Sequence, residues 1–137
     1  MKTVFADTGY WIAILNSDDG LHQTAVSVTA DLSSLQIVTS EMIFTEVLNS
    51  FSKQGSFLRQ NAVTLIQQSI RKPSVEIIAQ TSDLFHEGLN LYQQRPDQAW
   101  SLTDCASFCI MQQRKILEAL THDRHFEQAG FIALLRS

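Results

Sequence analysis

At 137 residues, with 45% hydrophobic and 18% charged residues, the chain is long enough to bury one core and has the balance of a globular domain. Ten Lys and Arg against fourteen Asp and Glu leave a net charge of −4, which argues against a generic nucleic-acid binder held by many phosphate contacts. No apolar run approaches the ~18 residues of a membrane span, and the acid at position 7 comes too early for a signal peptide. A single domain over residues 1–137 and a cytoplasmic location are expected.

In chain order, "TVFA" (3–6) reads as a strand and 21–33 as a weak helix. "QIVT" (36–39) is the second strand. Residues 41–53 follow with Ile43, Phe44, Val47, Leu48 and Phe51 on one helical stripe. A helix over 57–70 carries Leu58, Ala62, Leu65, Ile66 and Ile70 and stops before Pro73. "VEIIA" (75–79) is the third strand. The helix over 82–95 carries Leu84, Phe85, Leu89, Leu91 and Tyr92, and Pro96 ends it. A helix over 102–115 then leads to strands at "ILEALT" (116–121) and "FIALL" (131–135). Strands separated by helices require crossover connections. The expected fold class is therefore α/β, a mainly parallel sheet of about five strands with helices on both faces. Ligands in such folds bind beyond the carboxyl ends of the strands.

Four acids fall near those ends. Asp7 follows the first strand directly, and Asp123 follows "ILEALT" after one residue. Glu46 lies in the first half of the 41–53 helix, turned away from its apolar stripe. Asp104 sits in "SLTD" at the opening of the 102–115 helix. Each has an ordinary role open to it. Asp7 and Asp123 fit helix N-caps, Ser101 with Asp104 fits a capping box, and Glu46 fits a solvated helix face. Together, however, they would converge on one rim of the sheet. Clustered carboxylates repel and raise each other's pKa unless a cation sits among them. Oxygen ligands of this kind suit Mg²⁺ or Mn²⁺.

Two further groups invite a metal reading. "LTHDRHF" (120–126) brings His122, Asp123 and His125 together, and Cys105 and Cys109 share a face of the 102–115 helix. A zinc site from these is disfavoured, because the core needs the helix face that carries the cysteines.

The stretches "VFADTGYWIAIL", "TSEMIFTEVLNSF" and "WSLTDCASFCIMQQRKILEALTHDRHFEQAGF" carry a resemblance. The chain resembles PIN-domain ribonucleases, and in size the VapC-type toxins of prokaryotic toxin–antitoxin pairs. That family has an Asp after the first strand, a Glu in the helix after the second, an "L-T-D" opening a late helix, and "T-x-D-x-x-F…G-F" after the next strand. Asp7, Glu46, Asp104 and Asp123 fill those places, so the resemblance implies that they are the catalytic, metal-holding acids. Thr121 matches a hydroxyl residue usual two positions before the last acid. Asp97 in "RPDQAW" is read as a turn aspartate before a helix, with a place as a fifth acid near the cleft as its alternative. Where the family often has a small hydroxyl residue near position 11 this chain has Trp11, with Thr8 and Tyr10 close by. The resemblance assigns no role to His122, His125 or Trp100, and the two histidines are expected on the surface.

The implied activity is Mg²⁺- or Mn²⁺-dependent endoribonuclease hydrolysis by in-line attack, leaving a 5′-phosphate. The implied partners are an RNA substrate, a cognate antitoxin and a second copy of the chain. The antitoxin would lie along a groove near the early helices, where Phe44, Phe51, Phe57 and Leu58 supply large apolar side chains. Two alternatives remain: a PIN fold kept as a non-catalytic binding module, and a phospho-accepting receiver domain. The second fits poorly, since Ala6 and Thr8 flank Asp7 where a receiver has an acidic pair, and no Lys follows residue 115.

Overall fold

The computed structural model describes residues 2–31 and 34–136. Five strands are found among them: β1 (Lys2–Ala6), β2 (Leu35–Ser40), β3 (Val75–Ile78), β4 (Glu118–Leu120) and β5 (Ile132–Ala133). Every pairing is parallel, in the order β3-β2-β1-β4-β5. The α/β expectation holds.

The helices are α1 (Thr8–Leu15), α2 (His22–Asp31), α3 (Glu41–Phe51), α4 (Ser56–Arg71), α5 (Ser82–Gln94), α6 (Leu102–Arg114) and α7 (Arg124–Gln128). The end of the helix expected over 21–33 lies outside the described residues. β1, β2 and β3 succeed one another in one direction, while β4 and β5 lie on the other side of β1. With right-handed crossovers, this reversal puts α1–α4 on one face and α5–α7 on the other. The helix contacts agree, since α1 packs on α2, α3 and α4, and α6 packs on α5 and α7.

β1 is central, and Val4, Phe5 and Ala6 are fully buried. On the α5–α7 side, Phe126 packs against Phe5 and edge-on against Phe108, at 6.4 and 4.9 Å between ring centres. On the other side Trp11 packs edge-on against Phe44 at 5.3 Å. α5 and α6 approach closely because Gly88 has no side chain, and a Cβ there would come within 3.3 Å of Ala106.

Some apolar stripes are only half used. On α5, Leu84 is buried but Phe85, Leu89 and Tyr92 are exposed. On α3 and α4, Leu48, Phe57 and Ile70 are exposed, Phe57 by 75%. The last strands are shorter than "ILEALT" and "FIALL". Lys115 ends α6 in the left-handed region (φ 57°), and the Ile116 N–H bonds back to the Met111 carbonyl at 2.9 Å, so this stretch forms the helix terminus.

Candidate active site

The strand order reverses at β1, so the crevice beyond the carboxyl ends of β1 and β4 is where such a sheet leaves room for a ligand. A cleft of about 510 Å³ opens there, and Asp7, Glu46, Asp104 and Asp123 all line it. They arrive on four separate elements: the end of β1, α3, α6 and the turn after β4.

Asp7 is the N-cap of α1, yet its side chain does not cap the helix. The carboxylate instead accepts the Thr121 hydroxyl at 2.8 Å, and the same Thr121 oxygen accepts the Asp123 N–H at 3.0 Å. One buried hydroxyl thereby ties two of the acids together. Burial pushes the Asp7 carboxyl up to about 7, the Thr121 hydrogen bond opposes this, and the charges of Asp104 and Asp123 add to it.

Asp104 performs the capping role as well as facing the cleft. The Ser101 hydroxyl accepts the Asp104 N–H, and Asp104 Oδ2 accepts the Ser101 N–H at 3.1 Å. Burial raises its carboxyl too, opposed by the Ser101 N–H and His125 hydrogen bonds. Asp123 caps α7 by accepting the His125 N–H at 2.8 Å. Glu46 is half-buried and accepts the Thr8 hydroxyl at 2.7 Å. Thr8 thus brings a hydroxyl into the cleft. Trp11 does not line the cleft but is buried, with its indole N–H on Thr39 Oγ1 at 3.3 Å.

Three residues stand differently from their sequence expectation or candidacy. Asp97 is outside the cleft and exposed, and its two carboxylate oxygens accept from Arg95 Nε and Nη2, each at 3.0 Å. Trp100 is buried, with its indole N–H on Gln128 Oε1 and its ring against Phe108. His125, expected on the surface, is half-buried in the cleft, with Nδ1 3.0 Å from Asp104 Oδ2 and 3.5 Å from Asp123 Oδ1. His122 is exposed and also lines the cleft. The cysteines take no part in this grouping: Cys105 is buried and Cys109 half-buried, both as free thiols.

A family model described as the PIN domain matches residues 4–132. The chain belongs to the PIN domain family. This PIN domain is 26% identical over 129 residues to the 23S rRNA-specific endonuclease VapC20 of Mycobacterium tuberculosis, covering 94% of this chain and 95% of that protein. The crystal structure of VapC20, described as a sarcin–ricin loop cleaving toxin, superposes with a TM-score of 0.81, covering 94% and 96% of the two chains. Two more distant structures share the PIN fold. VapBC2 from Rickettsia felis, bound to a promoter DNA fragment, gives a TM-score of 0.65 at 13% identity, with 96% of each chain covered. FitAcB from Neisseria gonorrhoeae gives 0.63 at 12% identity, with 95% and 94% covered.

Proposed function

We propose that this PIN domain is a metal-dependent endoribonuclease and the toxin of a toxin–antitoxin pair, with residues 1–137 acting as one catalytic domain. The observation that carries this is the convergence of Asp7, Glu46, Asp104 and Asp123 on one cleft at the reversal of the sheet. The donor set fits a divalent ion. Four carboxylates offer hard oxygen ligands, and an Asp7 carboxyl pushed up to about 7 marks a place where negative charge is costly without a cation. Asp7, Glu46, Asp104 and Asp123 would hold Mg²⁺ or Mn²⁺. An ion held by these residues would supply a nucleophilic water at neutral pH and neutralisation of charge developing on the phosphoryl oxygens.

The chain's own groups do the positioning. Thr121 fixes Asp7 relative to Asp123, and Thr8 fixes Glu46. The Ser101–Asp104 capping box sets the start of α6 and with it the direction of the Asp104 carboxylate. Acids already held in place would keep a cation facing the phosphate without rearrangement as charge develops there.

The relationship to VapC20 supports RNA as the substrate, with the sarcin–ricin stem-loop of ribosomal RNA as the first target to try. A cognate antitoxin has an apolar groove available between α3, α4 and β3. Phe44, Leu48, Ile66, Ile70, Val75 and Ile77 line it, with a volume of about 530 Å³. A homodimer and a cytoplasmic location complete the reading. No helix among the described residues is long and apolar enough to cross a membrane.

The test is the chemistry of the product ends. Purified protein given a sarcin–ricin stem-loop RNA and Mn²⁺ should leave a 5′-phosphate and a 3′-hydroxyl. Those ends form when water attacks phosphorus in line with the 3′ oxygen, the P–O3′ bond breaks and that oxygen leaves as the hydroxyl. A 2′,3′-cyclic phosphate would mean that the ribose hydroxyl attacks instead, and the proposal would fail.

A further inference from the structure

The acids of the cleft are accounted for by the proposed reaction; His125 is not. Its position is set from both sides. The neighbouring Phe126 is fully buried against Phe5 and Phe108, which fixes the short α7 on the sheet. The His125 N–H is held by Asp123 Oδ1 at 2.8 Å, which fixes the turn that precedes its side chain. The imidazole is thereby directed at the opening turn of α6, where Nδ1 lies 3.0 Å from Asp104 Oδ2 and 3.5 Å from Asp123 Oδ1.

Asp104, Asp123 and His125 each offer a ligand atom, and the three atoms lie within 4.8 Å of one another. They form the one group of three or more His, Cys, Asp or Glu with that spacing among the described residues. Two carboxylates and an imidazole differ in kind from a set of carboxylates alone. Carboxylate and water suit Mg²⁺ and Mn²⁺ alike, whereas Mn²⁺, a transition ion, accepts an imidazole nitrogen more readily than Mg²⁺ does. Mg²⁺ keeps its waters and prefers oxygen.

Resting on the reading of the cleft as a metal-dependent nuclease site, we infer that His125 ligates the ion beside Asp104 and Asp123 and makes this cleft hold Mn²⁺ more tightly than Mg²⁺. The hydrogen bond between His125 and Asp104 is then the metal-free arrangement of two ligands. His122 is not part of this set: it shares the cleft, but it is exposed and no member of the three-residue group.

Electron paramagnetic resonance of Mn²⁺ added to the purified protein tests this without reference to activity. The wild type should show an imidazole nitrogen coupling to the bound ion, and His125→Ala and His125→Gln should lack it. Both variants should bind Mn²⁺ at least about tenfold more weakly, with Mg²⁺ affinity changed far less. His122→Ala should retain coupling and affinity. Bound Mn²⁺ without nitrogen coupling in the wild type would overturn the inference while leaving a carboxylate-held nuclease intact. Failure of the wild type to bind either Mn²⁺ or Mg²⁺, or an Asp123→Asn variant that binds both as tightly as wild type, would overturn this inference and the nuclease reading together.

Discussion

The Thr121 hydroxyl donates to the Asp7 carboxylate at 2.8 Å across 114 positions of sequence, joining the turn after β4 to the end of β1. It also accepts the Asp123 N–H. One side chain therefore sets the relation between two acids that neighbouring parallel strands bring side by side. Replacing it by the isosteric Thr121→Val removes a hydrogen bond to a charged group worth about 1.5–3 kcal/mol. Cleavage should fall by about tenfold or more, and the acidic limb of its pH profile should move upward, because the Asp7 carboxyl loses a partner that favours ionisation. Thr121→Ser should restore most of both. A valine variant with an unmoved profile would show that the hydroxyl does not govern Asp7.

The Asp7 carboxyl also makes the metal-free fold pH-dependent. Its folded value of about 7 lies above the ordinary 3.8, so the folded state binds this proton more tightly than the unfolded chain. The associated stability is fully present below the ordinary value and is lost as pH rises through about 7. Asp7→Asn removes that loss. In EDTA the variant should gain over wild type by a margin on the order of 2–4 kcal/mol larger at about pH 8 than at about pH 4. Chemical denaturation at the two pH values measures this, and an equal difference at both would contradict it.

Asp104 serves two ends that pull in opposite directions. As a capping-box acid it contributes about 0.5–2 kcal/mol to the start of α6, while as a buried acid among like charges it costs stability without metal. An Asn retains an oxygen able to accept the Ser101 N–H and sheds the charge. Metal-free Asp104→Asn should melt at or above the wild-type temperature, gain less from millimolar Mn²⁺, and fail to cut RNA. A variant that melts clearly lower, responds normally to metal and still cuts would reduce Asp104 to a cap.

Thr8 and Asp97 make a matched pair of controls. Thr8 reaches Glu46 in the cleft, so Thr8→Val should lower cleavage by about tenfold or more and Thr8→Ser by much less. Asp97 meets only Arg95 on the exposed surface, where such pairs contribute little. Asp97→Asn should leave cleavage within about twofold and stability nearly unchanged. Reversed results would move the site toward residue 97.

Most of the frame was legible because β1–β3 are short runs rich in β-branched residues and α3–α5 keep a helical period between clear stops. α1 escaped that reading. "TGYWIAIL" is apolar nearly all round, so it has no polar face to give it a period. α7, with five residues, is too short to have one. Asp7, Asp104 and Asp123 stand out because each follows a strand or opens a helix, positions whose place in an α/β fold is fixed by topology. Glu46, inside α3, is named by the family resemblance instead. The acids' local partners, Ser101 and Thr121, were legible too; those distant in sequence were not. Thr8 meets Glu46 across 38 positions and His125 meets Asp104 across 21, distances over which no spacing rule operates. The stripe on α5 misled in the other direction: periodicity marks Phe85, Leu89 and Tyr92 as one apolar face with Leu84, but α6 covers only part of it.

The central claim is that the acids of this cleft hold a divalent ion that RNA cleavage requires. The most direct measurement is cleavage of a sarcin–ricin stem-loop by wild type and by Asp123→Asn, both folded by circular dichroism, in excess EDTA and after Mn²⁺ or Mg²⁺ is restored. The account predicts no cleavage by wild type in EDTA, recovery on adding either ion, and no cleavage by Asp123→Asn under any condition. Full cleavage in EDTA, or an Asp123→Asn variant as active as wild type, would contradict it.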